Sequence, residues 1–186
     1  SNAASTLLAL NRLSGISCTT KELHKAAAAV GSDVPFFLYS ALALVTGRGD
    51  HVFPLDDAGE FWLLMIFPDL RIDTAQAYSW LRAGMVSDQR IHETGILHRL
   101  SDQYRNIPPA EWRFHNSFSS VLYDRYPRYR RIEEDLYRQG ADFVSISGSG
   151  STIYGVFATS ESAEAAQTAL LTMYPSSVVV PTLKKK

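Results

Sequence analysis

The segment Phe61–Phe67 is a run of seven consecutive apolar residues, and it constrains the fold more than any other part of the chain. Its length suits a β-strand, because a helix that spans a bilayer needs about 20 apolar residues. Apolar side chains at both alternating sets of positions are typical of a strand buried on both faces. The segment therefore predicts a strand in the middle of a sheet, and we expect no membrane insertion.

The rest of the chain predicts helices that alternate with short strands. Thr19 and Glu22 have the spacing of a capping box at the start of one helix, and Gly31 is a typical residue to end it. The predicted helices cover residues 3–13, 19–31, 73–81, 93–100, 116–123 and 127–139, and a further helix opens at Ser160. The other predicted strands cover residues 41–45, 51–53, 142–146, 152–157 and 177–180. The order at the C-terminal end indicates an α+β fold with helices packed on one face of an antiparallel sheet.

Charge and cysteine content narrow the classes of function. The 18 basic and 19 acidic residues give a net charge of -1, so no overall positive field would attract nucleic acid. Cys18 is the only cysteine in the sequence, which excludes an internal disulfide and is consistent with a reducing compartment. We therefore expect a cytoplasmic protein with no nucleic-acid partner.

The loop Ser147–Thr152 is rich in glycine and serine, as loops that approach phosphate groups often are. A dinucleotide-binding fingerprint would need a third glycine where Ile153 stands, and a helix rather than a strand after it. A Walker A loop would need a terminal Gly-Lys-Ser/Thr, and a nucleophile elbow would need glycine in place of Ser147. Taken alone, the loop is explained at least as well by an ordinary hairpin turn.

Three segments together carry a more specific signal: Gly31–Phe37, Thr46–Gly49 and Gly140–Gly155. In combination they resemble the GHMP kinases, and within that family the branch that phosphorylates a cytidine-linked methylerythritol in non-mevalonate isoprenoid synthesis. The resemblance implies a C-terminal GHMP-kinase domain over residues 56–186. Residues 1–55 would then be the helical remainder of a truncated N-terminal domain.

The resemblance also implies roles for individual residues. Asp33 would be the catalytic acid/base, which accepts the proton of the substrate hydroxyl; its alternative role is to cap a turn. Thr74 and Tyr78 would bind substrate, with the Tyr78 ring stacked on cytosine, although a half-buried helix tyrosine is an equally good explanation of Tyr78. The backbone of Gly148, Ser149 and Gly150 would lie beside the substrate and nucleotide phosphates. Asn116 matches an asparagine of the family, to which we assign a structural role.

ATP with Mg²⁺ is the cofactor implied by the resemblance, with a small molecule as the substrate. No histidine spacing indicates a protein metal site. The family's glycine-rich phosphate loop and its catalytic lysine have no counterpart in the sequence. Ser1 is either the end of that phosphate loop, placed near ATP, or the first residue of an expression tag.

Two further expectations follow. The isolated chain should have little or no kinase activity, and the apolar surface left by the missing segment should cause homo-oligomerisation. The alternative function is a non-catalytic binding or oligomerisation module that retains the GHMP scaffold.

Overall fold

The computed structural model describes residues 1–39, 42–55, 59–84 and 93–182. The helices in these ranges are α1 (Asn2–Leu13), α2 (Thr20–Val30), α3 (Thr74–Gly84), α4 (Glu93–Asn106), α5 (Ser117–Arg125), α6 (Arg128–Arg138) and α7 (Ser160–Leu170). The strands are β1 (Ala43–Thr46), β2 (His51–Pro54), β3 (Trp62–Ile66), β4 (Phe143–Ile146), β5 (Ile153–Phe157) and β6 (Ser177–Pro181). Short 3-10 turns lie at Pro35–Leu38 and Pro109–Glu111. Each of these helices and strands overlaps a predicted segment, and the α+β class is confirmed.

The described residues fall into two compact units. The first lies within Ser1–Ala58 and His92–Ser101, and the second lies within Gly59–Ile91 and Asp102–Thr182. The division of a parent protein into domains at residues 1–55 and 56–186 stays a prediction.

In the first unit, α1 and α2 pack against each other and against the 3-10 turn at Pro35–Leu38. The predicted capping box of α2 is present: the Glu22 amide donates to Thr19 Oγ1 at 3.3 Å, and the Thr19 amide donates to Glu22 Oε2 at 2.8 Å. Strands β1 and β2 form an antiparallel hairpin that is closed by the pairing of Thr46 with His51. The hairpin turn therefore spans Gly47–Asp50.

In the second unit, four strands form a sheet in the order β4-β5-β3-β6, and every neighbouring pair is antiparallel. Leu64 of β3 pairs with Gly155 of β5 on one side and with Val179 of β6 on the other. The apolar strand thus occupies a central position, which confirms that part of the expectation.

The two faces of β3 differ in burial. Leu64 and Ile66 face the main core and are fully buried, whereas Leu63 and Met65, on the opposite face, are only half-buried. The expectation that both faces are buried is therefore wrong for the second face. An unbroken apolar run does not distinguish a strand buried on both faces from a strand buried on one face, because sheet faces that remain partly open can also carry apolar side chains.

The main core lies between the sheet and a layer of helices. Gly155 allows α6 to approach the sheet closely, because a Cβ atom there would lie 3.2 Å from Leu136 Cδ2 and 3.1 Å from the Ala141 Cβ. The largest fully buried apolar side chains of this core are Leu64, Ile66, Leu122, Tyr129, Ile132, Leu136, Ile153 and Phe157. None of the helices in the described part of the chain is long and apolar enough to cross a membrane.

Candidate functional site

Asp33 lies in the turn that follows α2. The Val34 amide donates to the Gly31 carbonyl at 3.1 Å, and Pro35 then begins the 3-10 turn. The Asp33 side chain is exposed, and its Oδ1 accepts a long hydrogen bond of 3.4 Å from the Ser32 hydroxyl. An exposed carboxylate with so weak a partner is available to a ligand hydroxyl.

The β1–β2 turn lies directly against this carboxylate. Gly49 has φ +108, and a Cβ atom at that position would lie 2.8 Å from the Ser32 carbonyl oxygen and 3.1 Å from Asp33 Oδ1. A side chain at Gly49 would therefore displace the Asp33 loop. The structure thus brings together two of the segments that carry the family resemblance, Gly31–Phe37 and Thr46–Gly49.

The glycine-serine loop connects β4 and β5. The Ser147 amide donates to the Thr152 carbonyl at 2.9 Å, and the Gly150 amide donates to the Ser147 carbonyl at 3.0 Å. Gly148 and Gly150 have φ +55 and +89, values that favour glycine. The loop is therefore a tight hairpin turn, and binding of substrate by this loop stays a prediction.

Thr74, the first residue of α3, contacts this loop. Its Oγ1 lies 3.3 Å from Ser149 Oγ. Asp73 rather than Thr74 caps α3, because Asp73 Oδ1 accepts from the Gln76 amide at 2.8 Å. The Thr74 hydroxyl is therefore free of the capping role, and the structure joins two of the predicted substrate-binding residues.

Tyr78 lies one turn further along α3. Its ring packs edge-on against Phe118, with the two centroids 5.0 Å apart, and the residue is 48% exposed. Tyr78 is thus anchored on one side and open to solvent on another. This arrangement is compatible both with a stacking residue and with an ordinary helix tyrosine.

A side chain of α6 holds the second half of the glycine-serine loop by a hydrogen bond. The Tyr129 hydroxyl donates to the Ser151 carbonyl at 2.9 Å. Burial raises the pKa of Tyr129 to about 12, so the hydroxyl keeps its proton at neutral pH. Gly150 packs tightly here, since a Cβ atom would lie 2.9 Å from Ile72 Cδ1 and 3.1 Å from the Tyr129 hydroxyl oxygen.

Asn116 anchors the first half of the loop. Its side-chain Nδ2 donates to the Ile146 carbonyl at 2.7 Å and to the Gly148 carbonyl at 2.9 Å, while its Oδ1 caps α5 at the Phe118 amide, at 2.8 Å. The sequence signal for the cap was present, as an asparagine at the first position of the predicted helix 116–123. The bonds to the end of β4 and to the loop could not be found from sequence spacing.

An open cleft of about 540 Å³ lies beside Asn116 and Gly148. Its walls include Trp112, Phe114 and Tyr154. Trp112 packs against the Phe143 ring, with the centroids 5.6 Å apart. No sequence pattern indicated this cleft, because its aromatic residues come from separate segments.

The predicted site residues are divided between the two units. Asp33 and Ser1 belong to the first unit, and the other five belong to the second. Ser1 is exposed at the N-cap of α1, where its side chain makes no capping hydrogen bond. No group of three or more His, Cys, Asp or Glu side chains that could hold a metal ion occurs among the described residues.

Residues 95–176 match the family described as GHMP kinases, C terminal. The chain is 36% identical over 195 aligned positions to 4-diphosphocytidyl-2-C-methyl-D-erythritol kinase of Chloroherpeton thalassium, an alignment that covers 100% of the chain and 65% of that relative. The family resemblance predicted from the motifs is thereby confirmed.

Solved structures show a similar fold. A crystal structure of 4-(cytidine 5'-diphospho)-2C-methyl-D-erythritol kinase is 26% identical, with a TM-score of 0.73, over 96% of the chain and 62% of that structure. Homoserine kinase from Cytophaga hutchinsonii shares the fold at 20% identity, with a TM-score of 0.71, over 98% of the chain and 63% of that structure. The chain thus spans about two thirds or less of the length of the proteins to which it is similar.

Proposed function

We propose that this chain is part of an ATP-dependent kinase that phosphorylates the 2-hydroxyl of 4-diphosphocytidyl-2-C-methyl-D-erythritol in non-mevalonate isoprenoid synthesis. The observation that carries the proposal is the contact between Thr74 and Ser149, in a chain similar along its whole length to kinases named for that substrate. Two segments that the resemblance assigns to substrate binding are thus adjacent in the fold.

Asp33 supplies the acid/base function in this proposal. A carboxylate within hydrogen-bond reach of the substrate 2-hydroxyl accepts its proton as the oxygen attacks the γ-phosphate. The exposure of Asp33 leaves it accessible to the substrate, and the lack of a side chain at Gly49 lets the neighbouring turn pack closely without displacing the carboxylate. The chain's own part in the reaction is thus to orient the hydroxyl and accept its proton.

Tyr78 is the proposed contact for the cytosine ring. The exposed part of its ring is available for stacking, which contributes about 1–3 kcal/mol per base. The loop Gly148–Gly150 has no side chains larger than that of Ser149, so its backbone can approach the phosphates of the substrate closely.

ATP, with Mg²⁺ bound to its phosphates, supplies the phosphoryl group. The residues of this chain fit only part of a site for ATP and Mg²⁺, because the sequence has no glycine-rich phosphate loop of the family type and the described residues have no cluster of metal ligands. Ser1, if it is native, is the one residue that we assign to the ATP end. We therefore infer that the isolated chain has little or no kinase activity.

The test compares the isolated chain with the full-length protein that its gene encodes, in a coupled assay with ATP and the cytidine-linked substrate. We expect turnover by the full-length protein and little or none by the isolated chain. Asp33→Asn in the full-length protein should lower kcat by about 10²–10⁴. Asp69→Asn is the matched control, because Asp69 is also an exposed aspartate but lies outside the Asp33 loop.

Three results would contradict the proposal. They are turnover of homoserine in place of the cytidine-linked substrate, full activity of Asp33→Asn, and a gene that begins near Ala4 without an upstream phosphate loop. The last result would favour the non-catalytic module. A homo-oligomeric state and a cytoplasmic location remain part of the proposal.

A further inference from the structure

One carboxamide, that of Asn116, connects three separate parts of the second unit. Its Oδ1 accepts from the Phe118 amide in the first turn of α5, at 2.8 Å. Its Nδ2 donates to the Ile146 carbonyl at the end of β4, at 2.7 Å, and to the Gly148 carbonyl in the loop, at 2.9 Å. Both N–H groups of the Asn116 side-chain amide therefore donate to backbone carbonyls at the start of the glycine-serine loop.

Asparagine is the only residue of the good helix caps that can make this set of bonds. Aspartate and serine cap a helix about as well as asparagine. Aspartate, however, is acceptor-only when ionised and would place its charge against the carbonyl oxygens of Ile146 and Gly148. Serine has a single donor on a shorter side chain. Capping alone therefore does not require asparagine at position 116, whereas the bonds to the loop do.

The Gly148 carbonyl has no other hydrogen-bond donor among the described contacts of the loop. The remaining anchors act elsewhere: the Ser147 amide pairs with Thr152, and Tyr129 holds the Ser151 carbonyl. The peptide at Gly148 is therefore oriented by Asn116, and Ser149, which contacts Thr74, is attached directly to it.

We propose that Asn116 is a positioning residue for phosphoryl transfer. It acts through the loop: its bond to the Gly148 carbonyl fixes the peptide that joins Gly148 to Ser149, and so fixes the Ser149 side chain beside Thr74. The inference rests on the proposed function, because that proposal is what makes the loop a substrate-binding element. That Asn116 holds the loop in place is a property of this chain alone.

The first arm of the test measures amide hydrogen exchange in the present chain. Asn116→Asp keeps the cap of α5 and loses both donors, so exchange at the Ser147 and Gly150 amides should become at least tenfold faster while the Phe118 amide stays protected. Thr159→Ala is the matched control, because Thr159 caps α7 through the Ser162 amide and does not contact the loop. It should leave exchange in the loop unchanged.

The second arm measures kinetics in the full-length protein. A loop displaced by about 1 Å costs on the order of a hundredfold in rate, so Asn116→Asp should lower kcat by about ten- to a hundredfold, while Thr159→Ala stays within about twofold of the parent. Asn116→Ser should behave like Asn116→Asp, because it also caps the helix without holding the loop.

The outcomes separate this inference from the proposed function. Unchanged loop exchange in Asn116→Asp overturns the inference, whatever the enzyme activity. Faster exchange with unchanged kcat overturns it as well, because the loop position would then not matter to the reaction. A full-length parent with no kinase activity overturns the proposed function and the catalytic part of the inference, while the exchange result still decides whether Asn116 fixes the loop.

Discussion

The side-chain oxygens of Thr74 and Ser149 lie 3.3 Å apart, which joins the first residue of α3 to the loop between β4 and β5. The two residues are 75 positions apart in the sequence. Because Asp73 already caps the helix, the Thr74 hydroxyl serves this contact rather than the helix terminus.

A double-mutant cycle should detect this hydrogen bond. Thr74→Val keeps the shape of the side chain, and Ser149→Ala removes the partner hydroxyl. We expect a coupling free energy of about 0.5–1 kcal/mol in urea unfolding of the chain, at the low end for hydrogen bonds because the pair is exposed. Ser79→Ala is the control, since the Ser79 hydroxyl donates to the Gln76 carbonyl, and its effect should be additive with Ser149→Ala. Additivity of Thr74→Val with Ser149→Ala would show that the contact is not formed.

The two glycines of the loop should respond differently to alanine. At Gly150 the new Cβ would lie 2.9 Å from Ile72 Cδ1, so overpacking of about 1–3 kcal/mol adds to the strain of a positive φ. At Gly148 no atom lies within 4 Å of the new Cβ, and only the backbone strain of about 1–2 kcal/mol remains. Urea denaturation should therefore rank Gly150→Ala as the less stable variant, and the reverse order would contradict the packing described around Gly150.

Stability should fall at alkaline pH. Burial raises the pKa of Tyr129 to about 12 and that of Tyr174 also to about 12, above the ordinary value of 10.0. Because the folded-state pKa is the higher one, the contribution of each tyrosine is fully present below pH 10 and is lost as pH rises through about 12. The free energy of unfolding, measured by urea at several pH values, should decline over that window.

Tyr129→Phe separates this effect from general alkaline denaturation. The variant lacks the ionisable hydroxyl, so its decline between pH 10 and 12 should be shallower. It should also be less stable at neutral pH by about 1–3 kcal/mol, because the Ser151 carbonyl loses its donor. An identical pH profile for Tyr129→Phe and the parent would exclude Tyr129 as a source of the decline.

The exposed apolar surface of α1 should cause self-association. Leu10 is 57% exposed and Leu13 is 84% exposed. We expect light scattering to show a mass that rises with protein concentration, and Leu10→Lys with Leu13→Lys should abolish the rise. Leu171→Lys is a control at another exposed leucine, 49% exposed in the second unit, and should have no effect. A monodisperse monomer at all concentrations would contradict the prediction.

Sequence alone located the helices and strands where the signal is local. The capping box of Thr19 and Glu22, the stop at Gly31 and the apolar run Phe61–Phe67 each depend on residues close together in the chain. The family motifs also belong to this class, because their residues are contiguous. The resemblance to the GHMP kinases is therefore readable from the sequence, whereas the roles of Asp33 and the other predicted site residues stay predictions.

Tertiary structure decided what joins these segments. Strand β3 lies between β5 and β6, and its Leu64 pairs with Gly155 and Val179, which are far away in the sequence. Which strands become neighbours depends on which of their faces can be buried together. Tertiary packing also leaves the second face of β3 half-buried. It brings Asn116 to the carbonyls of Ile146 and Gly148, which lie 30 and 32 residues away in the sequence. Local sequence determines the conformation of each segment, but the contacts between segments form only when the whole core packs, so they had to be observed.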